Sequence, residues 1–199
     1  MKKITAIFKT MLLVTVVLVM VQGCTSPIPI PPSGGTPSSN IIHRVYNYTA
    51  SIQSDINYHM DIDGNGTNDI YFIKEGTFGA QILIKAENGN KIQFSTEISK
   101  SNRLYSYAYN EQLENNKVLW EYDNLNVWSL VDDGKTNVTS NNIDGSIFIG
   151  FRATDMSNNN KYYGWIRVVN NIILSNGNFN IIESGVCKIP NTPIKAGEY

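Results

Sequence analysis

The segment from Asp61 to Asp69 carries the most chemically specific pattern in the chain. Counting Asp61 as position one, side chains with oxygen atoms stand at positions one, three, five and nine, and a glycine stands at position six. An EF-hand loop surrounds calcium in this order, and calcium prefers oxygen ligands of these types. The predicted ligands are the side chains of Asp61, Asp63, Asn65 and Asp69 and the backbone carbonyl of Thr67.

The flanks of this acidic loop differ from those of an EF-hand. Position twelve holds Phe72 instead of the bidentate glutamate, and the neighbouring stretches read as strands and not as helices. The loop therefore resembles the calcium loops of FG-GAP-type repeats and of many secreted β-proteins, with water completing the coordination shell. The alternative is a metal-free turn, because Asp, Asn and Gly are also ordinary turn residues. Three carboxylates within nine residues repel one another without a cation, so the sequence favours calcium.

Aromatic side chains follow two stretches with strand-like alternation. In the first stretch three tyrosines share one face with Arg103, and in the second two aromatic residues share one with Arg167, since successive side chains of a strand point to opposite sides. Exposed rings of this kind would suit stacking on sugars, so the residues are candidate ligand contacts. Large aromatic side chains at alternate positions more often belong to a sandwich core, and burial is the favoured interpretation. The six candidates are Tyr105, Tyr107, Tyr109, Tyr163, Trp165 and Arg167.

Residues for catalysis are sparse, and the sequence nominates none. His43 and His59 have no spacing typical of metal ligands or of a catalytic triad. A nucleophile formed by Cys187 with either histidine is conceivable, but a buried and inert thiol is favoured. A glycoside hydrolase needs only two carboxylates, and acidic residues between 97 and 133 supply several without singling out a pair.

The elements that must position these residues are strands. Residues 91–98 alternate apolar and polar side chains, and similar short stretches recur between Asn-Gly, Asp-Gly and Asn-rich turns. At most one short helix fits, at 108–116. The pattern predicts an all-β fold, an antiparallel β-sandwich of about ten to twelve strands with a jelly-roll-like arrangement. The other predicted strands lie at 43–52, 55–62, 69–75, 79–86, 102–109, 117–121, 125–131, 146–153, 161–169, 171–175 and 178–183.

The N-terminus predicts export and lipid anchoring. Residues 1–23 have a basic start and a short apolar stretch, as a signal peptide does. They end in Val21-Gln22-Gly23-Cys24, which resembles the bacterial lipobox, in which the cysteine is acylated. An ordinary secretory signal that merely precedes a cysteine is the alternative. Residues 24–40 would then be the lipidated cysteine and a Pro/Gly/Ser tether, and residues 41–199 a single β-sandwich domain.

The charge balance limits the partners. Residues 1–23 contain three lysines and no acidic residue, so the remaining chain has 13 basic and 17 acidic residues. This surface does not favour phosphate backbones or anionic lipid headgroups. We therefore expect no nucleic-acid partner and membrane attachment only through the acyl anchor. The predicted location is the bacterial cell envelope, at the outer membrane.

Several motifs together resemble a known group of proteins. After the acidic loop come Phe148–Arg152, then Tyr162–Arg167, then a segment from Pro190 to Glu198. This order is similar to that of secreted or lipid-anchored β-sandwich proteins of Bacteroidota, over most of residues 55–199. The segment 184–187 departs from them, because they tend to have aromatic residues there. These relatives are uncharacterised and supply no catalytic residue.

Three functional hypotheses follow from these patterns. The first is a lipid-anchored envelope module that binds a glycan or an envelope protein and is braced by calcium. The second is a structural envelope lipoprotein without a small ligand. The third is a glycoside hydrolase that uses paired carboxylates.

Overall fold

The structure is a computed structural model that describes most of the predicted domain. The described residues are 38–51, 53–75, 81–87, 92–98, 100–122, 125–129, 146–170 and 178–199. The predicted signal peptide, Cys24, most of the tether and the predicted strand at 171–175 lie outside the described residues.

Strands are the regular elements of the described residues. None of these residues forms a helix long and apolar enough to cross a membrane. The strands are β1 (Ile41–Ser51), β2 (Asn57–Met60), β3 (Ile70–Glu75), β4 (Gln81–Ala86), β5 (Ile92–Glu97), β6 (Lys100–Leu104), β7 (Ser106–Tyr107), β8 (Val118–Glu121), β9 (Leu125–Ser129), β10 (Ser146–Asp155), β11 (Asn160–Asn170) and β12 (Asn178–Cys187).

The strands form two sheets that are joined through β6. The first sheet has the order β1-β12-β11-β10-β5, with β7 beside β10 and β8 beside β5. The second has the order β9-β4-β3-β2. Strand β6 pairs with β5 and also, through a parallel bridge between Arg103 and Asn126, with β9. The pairings within each sheet are antiparallel, which confirms the predicted all-β antiparallel class. The jelly-roll arrangement stays a prediction.

The larger apolar core lies between the two sheets. Phe72 of the second sheet packs against Phe179 of the first, with ring centroids 5.3 Å apart. Ile84 from the second sheet and Phe94 and Phe151 from the first join the same buried cluster. Fully burying a side chain of this size contributes about 1.5–3 kcal/mol, so the facing sheets form a β-sandwich with a continuous interior.

A second apolar cluster covers the outer face of the first sheet. Phe148 and Trp165 project from β10 and β11 to this side, and their rings are 5.5 Å apart. The C-terminal segment 188–199 lies over them, because Trp165 Nε1 donates a hydrogen bond to the carbonyl of Glu198 at 3.1 Å. Strands β10 and β11 are therefore buried on both faces, which explains their nearly continuous apolar sequence.

Two local expectations were wrong. The strand predicted at 102–109 is divided at Tyr105 into β6 and β7, which pair with different neighbours. The short helix proposed at 108–116 is absent, and turns occupy this segment. One side chain and one backbone pairing hold these turns: the Glu111 carboxylate accepts the N–H of Ala108 at 2.9 Å, and Gln112 forms a backbone β-bridge with Lys195.

Candidate functional site

The acidic loop is the tip of the hairpin formed by β2 and β3. Met60 and Ile70 are the last paired residues, and the N–H of Asp69 donates to the carbonyl of Met60 at 2.8 Å. Ile62 follows Asp61 in the loop and is buried in the sandwich core, so it anchors the loop from within. The hairpin thus brings the two ends of the predicted ligand set together.

Hydrogen bonds inside the loop turn side-chain oxygens toward the loop's interior. Asp61 accepts the N–H groups of Gly64 and Gly66 at 2.6 and 2.9 Å. Asp63 accepts the N–H of Asn65 at 3.0 Å, and Asn65 Oδ1 accepts the N–H of Thr67 at 2.7 Å. Gly64 and Gly66 have φ angles of 86° and 88°, a left-handed conformation that glycine adopts readily.

Three carboxylates of the predicted set converge. One oxygen from each of Asp61, Asp63 and Asp69 lies within 4.8 Å of the other two. A hard cation prefers such a group of carboxylate oxygens, and Asn65 and Thr67 stand in the same loop. The arrangement is therefore chemically able to hold calcium.

The electrostatic environment differs between the carboxylates. Burial, and after it the nearby charges of Asp63 and Asp61, together raise the pKa of Asp69 to about 6, against the Ile62 N–H that donates to this carboxylate. Burial also acts to raise the pKa of Asp61, but N–H donation from Gly66 and Gly64 outweighs it and lowers the pKa. A bound divalent cation would favour the ionised form of every carboxylate in the loop.

Arg44 is a resident cation that the sequence analysis missed. Its guanidinium lies against Gly64, where a Cβ atom would stand 1.9 Å from Nη2, and its charge helps to lower the pKa of Asp61. Next to it on the same face of β1, the Tyr46 hydroxyl donates to the carbonyl of Asp61 at 3.3 Å. Alternation along β1 could have placed Arg44 and Tyr46 on one face, but no local pattern links that face to the loop.

A cavity of about 470 Å³ adjoins the acidic loop. The loop forms one wall, and strands β1, β10, β11 and β12 of the first sheet contribute the rest. A smaller cavity of about 230 Å³ shares Asp63 and Asp69 with it. Clefts with apolar walls and a few polar groups are the usual shape of small-molecule sites. The larger cavity is lined by Asp63, Gly64, Asn65 and Asp69 with Ile62 on the loop side, and by Ile42, Ala153, Tyr162, Val186, Cys187 and Lys188 opposite.

The six aromatic-stretch candidates fall into two groups. Tyr107, Tyr163, Trp165 and Arg167 are all less than 5 % exposed, as the core interpretation expects, and cannot stack on a sugar in this conformation. Tyr105 is partly buried against Tyr107. Tyr109 differs, because half of its surface is exposed.

The histidines contact carboxylates. His43 Nε2 lies 2.8 Å from Glu183, and His59 Nδ1 lies 2.9 Å from Glu87. Cys187 is buried on the cavity wall, and its Sγ donates to the carbonyl of Ile189 at 3.5 Å. These contacts agree with the favoured interpretation of a buried thiol.

Comparison of the chain with protein families, with curated proteins and with solved structures found no match. The site is therefore classified by its own geometry. It is a loop of oxygen donors, suited to a hard cation, on the wall of a cavity in a β-sandwich.

Proposed function

We propose that the chain is a lipid-anchored binding module of the cell envelope, which holds calcium in the acidic loop and binds a glycan in the adjoining cavity. One observation carries the proposal: the carboxylates of Asp63 and Asp69 belong both to the converging acidic group and to the cavity wall. An ion held there would face the space that a ligand enters.

Charge supports the calcium part of the proposal. The loop brings three carboxylates together, whereas Arg44 is the cation whose charge acts on Asp61. Burial and like charges hold the pKa of Asp69 at about 6, so its ionised form is less favourable than that of a solvated aspartate, and a nearby positive charge would stabilise it. Calcium supplies two charges and accepts carboxylate, amide and carbonyl oxygens together.

The chemistry of the cavity supports a glycan as the ligand. Calcium takes about six to eight oxygen ligands, so hydroxyl groups of a ligand can complete a shell that the loop begins. The opposite wall offers Tyr162 and the apolar side chains of Ile42, Ala153 and Val186, against which the C–H groups of a sugar ring can pack. Lys188 adds a hydrogen-bond donor.

The location is proposed from residues outside the described part of the chain. The lipobox-like end at Cys24 and the Pro-rich tether would place the sandwich near the surface of the outer membrane. The resemblance to lipid-anchored β-sandwich proteins of Bacteroidota agrees with this location.

Thermal unfolding in calcium and in chelator tests the ion. We expect calcium to stabilise the wild-type chain by about 2.7 kcal/mol at a hundredfold excess over its dissociation constant. The double variant Asp61→Asn with Asp63→Asn removes two charges and keeps turn-forming side chains, so it should lose this gain, whatever its melting temperature in chelator. Asp55→Asn with Glu114→Gln removes two charges from exposed positions elsewhere and should keep the gain. Equal melting temperatures for wild type in calcium and in chelator would show a metal-free turn.

A glycan array probed with and without calcium tests the ligand. We expect binding that requires calcium and is lost in the Asp61/Asp63 double variant. No signal for any glycan or envelope protein would favour the structural lipoprotein. Release of sugar from a polysaccharide, abolished by one Asp or Glu substitution, would instead show a hydrolase.

A further inference from the structure

A separate recess of about 260 Å³ lies beside the C-terminal segment, and none of its lining residues lines the acidic-loop cavity. Two tyrosines line it: Tyr109, from the turn after β7, and Tyr199. Tyr109 is the exposed member of the six aromatic-stretch candidates. We refer to this space as the tyrosine recess.

Neighbouring side chains back both tyrosine rings. The ring of Tyr199 stacks on His43 at 4.8 Å and 25°, and His43 is held in turn by Glu183 at 2.8 Å. The ring of Tyr109 lies 6.2 Å from that of the buried Phe148. Rings supported in this way lose little conformational freedom when a ligand packs on them.

The backbone beneath the rings is built for close approach. Gly197 has a φ angle of 78°, and a Cβ atom there would lie 2.5 Å from the ring of Tyr109. Asn110 also has a left-handed φ of 66°, which asparagine adopts readily in turns. Hydrogen bonds at 2.8 Å join Asn110 to Ala196 and Ala196 to Glu111, so the two sides of the recess are fixed to each other.

The polar lining of the recess matches a neutral ligand. Lys195 and Glu198 carry opposite charges, and Asn110 adds an amide that can both donate and accept. The Glu198 carboxylate accepts the N–H of Lys195 at 2.9 Å, which fixes its position. Tyrosine faces and balanced polar groups suit a ring with C–H groups on its faces and hydroxyls at its edge.

We infer that the tyrosine recess binds one ring of a neutral glycan by stacking on Tyr109 and Tyr199. The recess, at about 260 Å³, is smaller than the pockets of about 300–1,000 Å³ that enclose a drug-sized ligand. This size suits one sugar ring of a longer chain. The ligand class is the one given under the proposed function, but the tyrosine recess is a separate site and needs no calcium.

Titration calorimetry with neutral oligosaccharides tests the inference. The probes are hexamers of β-1,4-glucose, α-1,4-glucose and α-1,6-mannose, with oligogalacturonate as the acidic comparison, and the full chain is kept in a detergent without sugar groups. We expect at least one neutral hexamer to bind equally well in calcium and in chelator. Tyr109→Ala should weaken this binding about tenfold or more, which corresponds to about 1.4 kcal/mol. Tyr109→Phe keeps the ring and should retain the affinity.

Matched substitutions separate the recess from the acidic loop. Tyr122→Ala removes a similarly exposed tyrosine outside the recess and should leave binding unchanged. The Asp61/Asp63 double variant should also bind as wild type does. Binding that disappears in chelator, that survives Tyr109→Ala, or that is absent for every neutral hexamer would overturn the inference. The calcium-dependent melting experiment does not depend on these outcomes.

Discussion

At the scale of single residues, Gly64 and Gly66 allow a direct test of the Arg44 contact. Both have left-handed φ angles, so alanine at either position should cost about 1–2 kcal/mol of unfolding free energy. A Cβ atom on Gly64 would also stand 1.9 Å from Arg44 Nη2, whereas nothing lies within 4 Å of one on Gly66. We therefore expect Gly64→Ala to destabilise the chain more than Gly66→Ala in urea unfolding.

The control for this comparison is Arg44→Ala. In that background the two glycine substitutions should cost about the same, since the clash is gone and only the backbone strain remains. If Gly64→Ala and Gly66→Ala are equally destabilising in the wild-type background, then the flexible guanidinium moves off the loop at no measurable cost.

The pKa of Asp69 predicts how stability depends on pH in chelator. The pKa rises from 3.8 to about 6 on folding, so the protonated form is favoured in the folded state. The resulting stability is complete below pH 3.8 and is lost as the pH rises through about 6. The pKa of Asp61 is lowered instead, so its ionised form stabilises the folded state. This stability is lost only as the pH falls below the usual pKa of 3.8, which lies outside the range in which Asp69 acts.

Asp69→Asn separates this effect from the pH dependence of the rest of the chain. The amide oxygen can still accept the Ile62 N–H, so the variant should unfold with a flatter dependence between pH 4 and pH 7 in chelator. Chemical unfolding at a series of pH values measures the difference. If the free energy of unfolding depends on pH in the same way for wild type and for Asp69→Asn, then the pKa of Asp69 is not raised.

The convergence of the acidic loop could be predicted from the sequence because its three carboxylates are local. Asp61, Asp63 and Asp69 stand within one hairpin, so their spacing predicts their convergence. Arg44 reaches the same loop from β1, and the cavity wall comes from four distant strands. Such contacts depend on how the two sheets pack, which spacing along the chain does not encode.

At the scale of elements, the strands were predictable where a stretch of strand-forming residues is bounded by clear turn residues. The hairpin of β10 and β11 is an example, since both strands extend over their predicted ranges. The prediction failed at 102–116 because competing contacts decide the backbone there. Tyr105 donates its N–H to Ser95, and Glu111 satisfies the N–H of Ala108, so neither a continuous strand nor a helix forms.

The cross-strand pair Arg167–Glu183 links β11 and β12. The atoms Nη1 and Oε1 are 3.1 Å apart, and both side chains are largely buried. Glu183→Ala removes the carboxylate that faces a buried guanidinium, which should lower the free energy of unfolding by about 3–5 kcal/mol. Urea unfolding measures the change.

Glu87→Ala is the matched control for this pair. Glu87 contacts His59, whose side chain is 38 % exposed, so its removal should cost no more than about 1 kcal/mol. Equal effects of Glu183→Ala and Glu87→Ala would mean that burial adds nothing to the Arg167–Glu183 contact.

At the scale of the whole molecule, the first sheet is the centre of the domain. Its inner face packs on the second sheet, and its outer face is covered by the C-terminal segment with Trp165 beneath it. The acidic-loop cavity and the tyrosine recess therefore both border strongly buried structure. Substitutions at either site can be compared without unfolding the sandwich, because the loop and the turn after β7 lie at its surface.

The proposed anchor is a property of the whole molecule, because it decides where the sandwich is held. Acylation needs the thiol of Cys24, and serine cannot form the thioether. Each buried methylene contributes about 0.8 kcal/mol, so two or three acyl chains on Cys24 would hold the protein firmly. We expect Cys24→Ser to abolish incorporation of a fatty-acid analogue and to leave the precursor unprocessed or mislocalised. Cys187→Ser alters a buried cysteine outside the lipobox and should keep the label. Labelling of Cys24→Ser at the wild-type level would instead support an ordinary secretory signal.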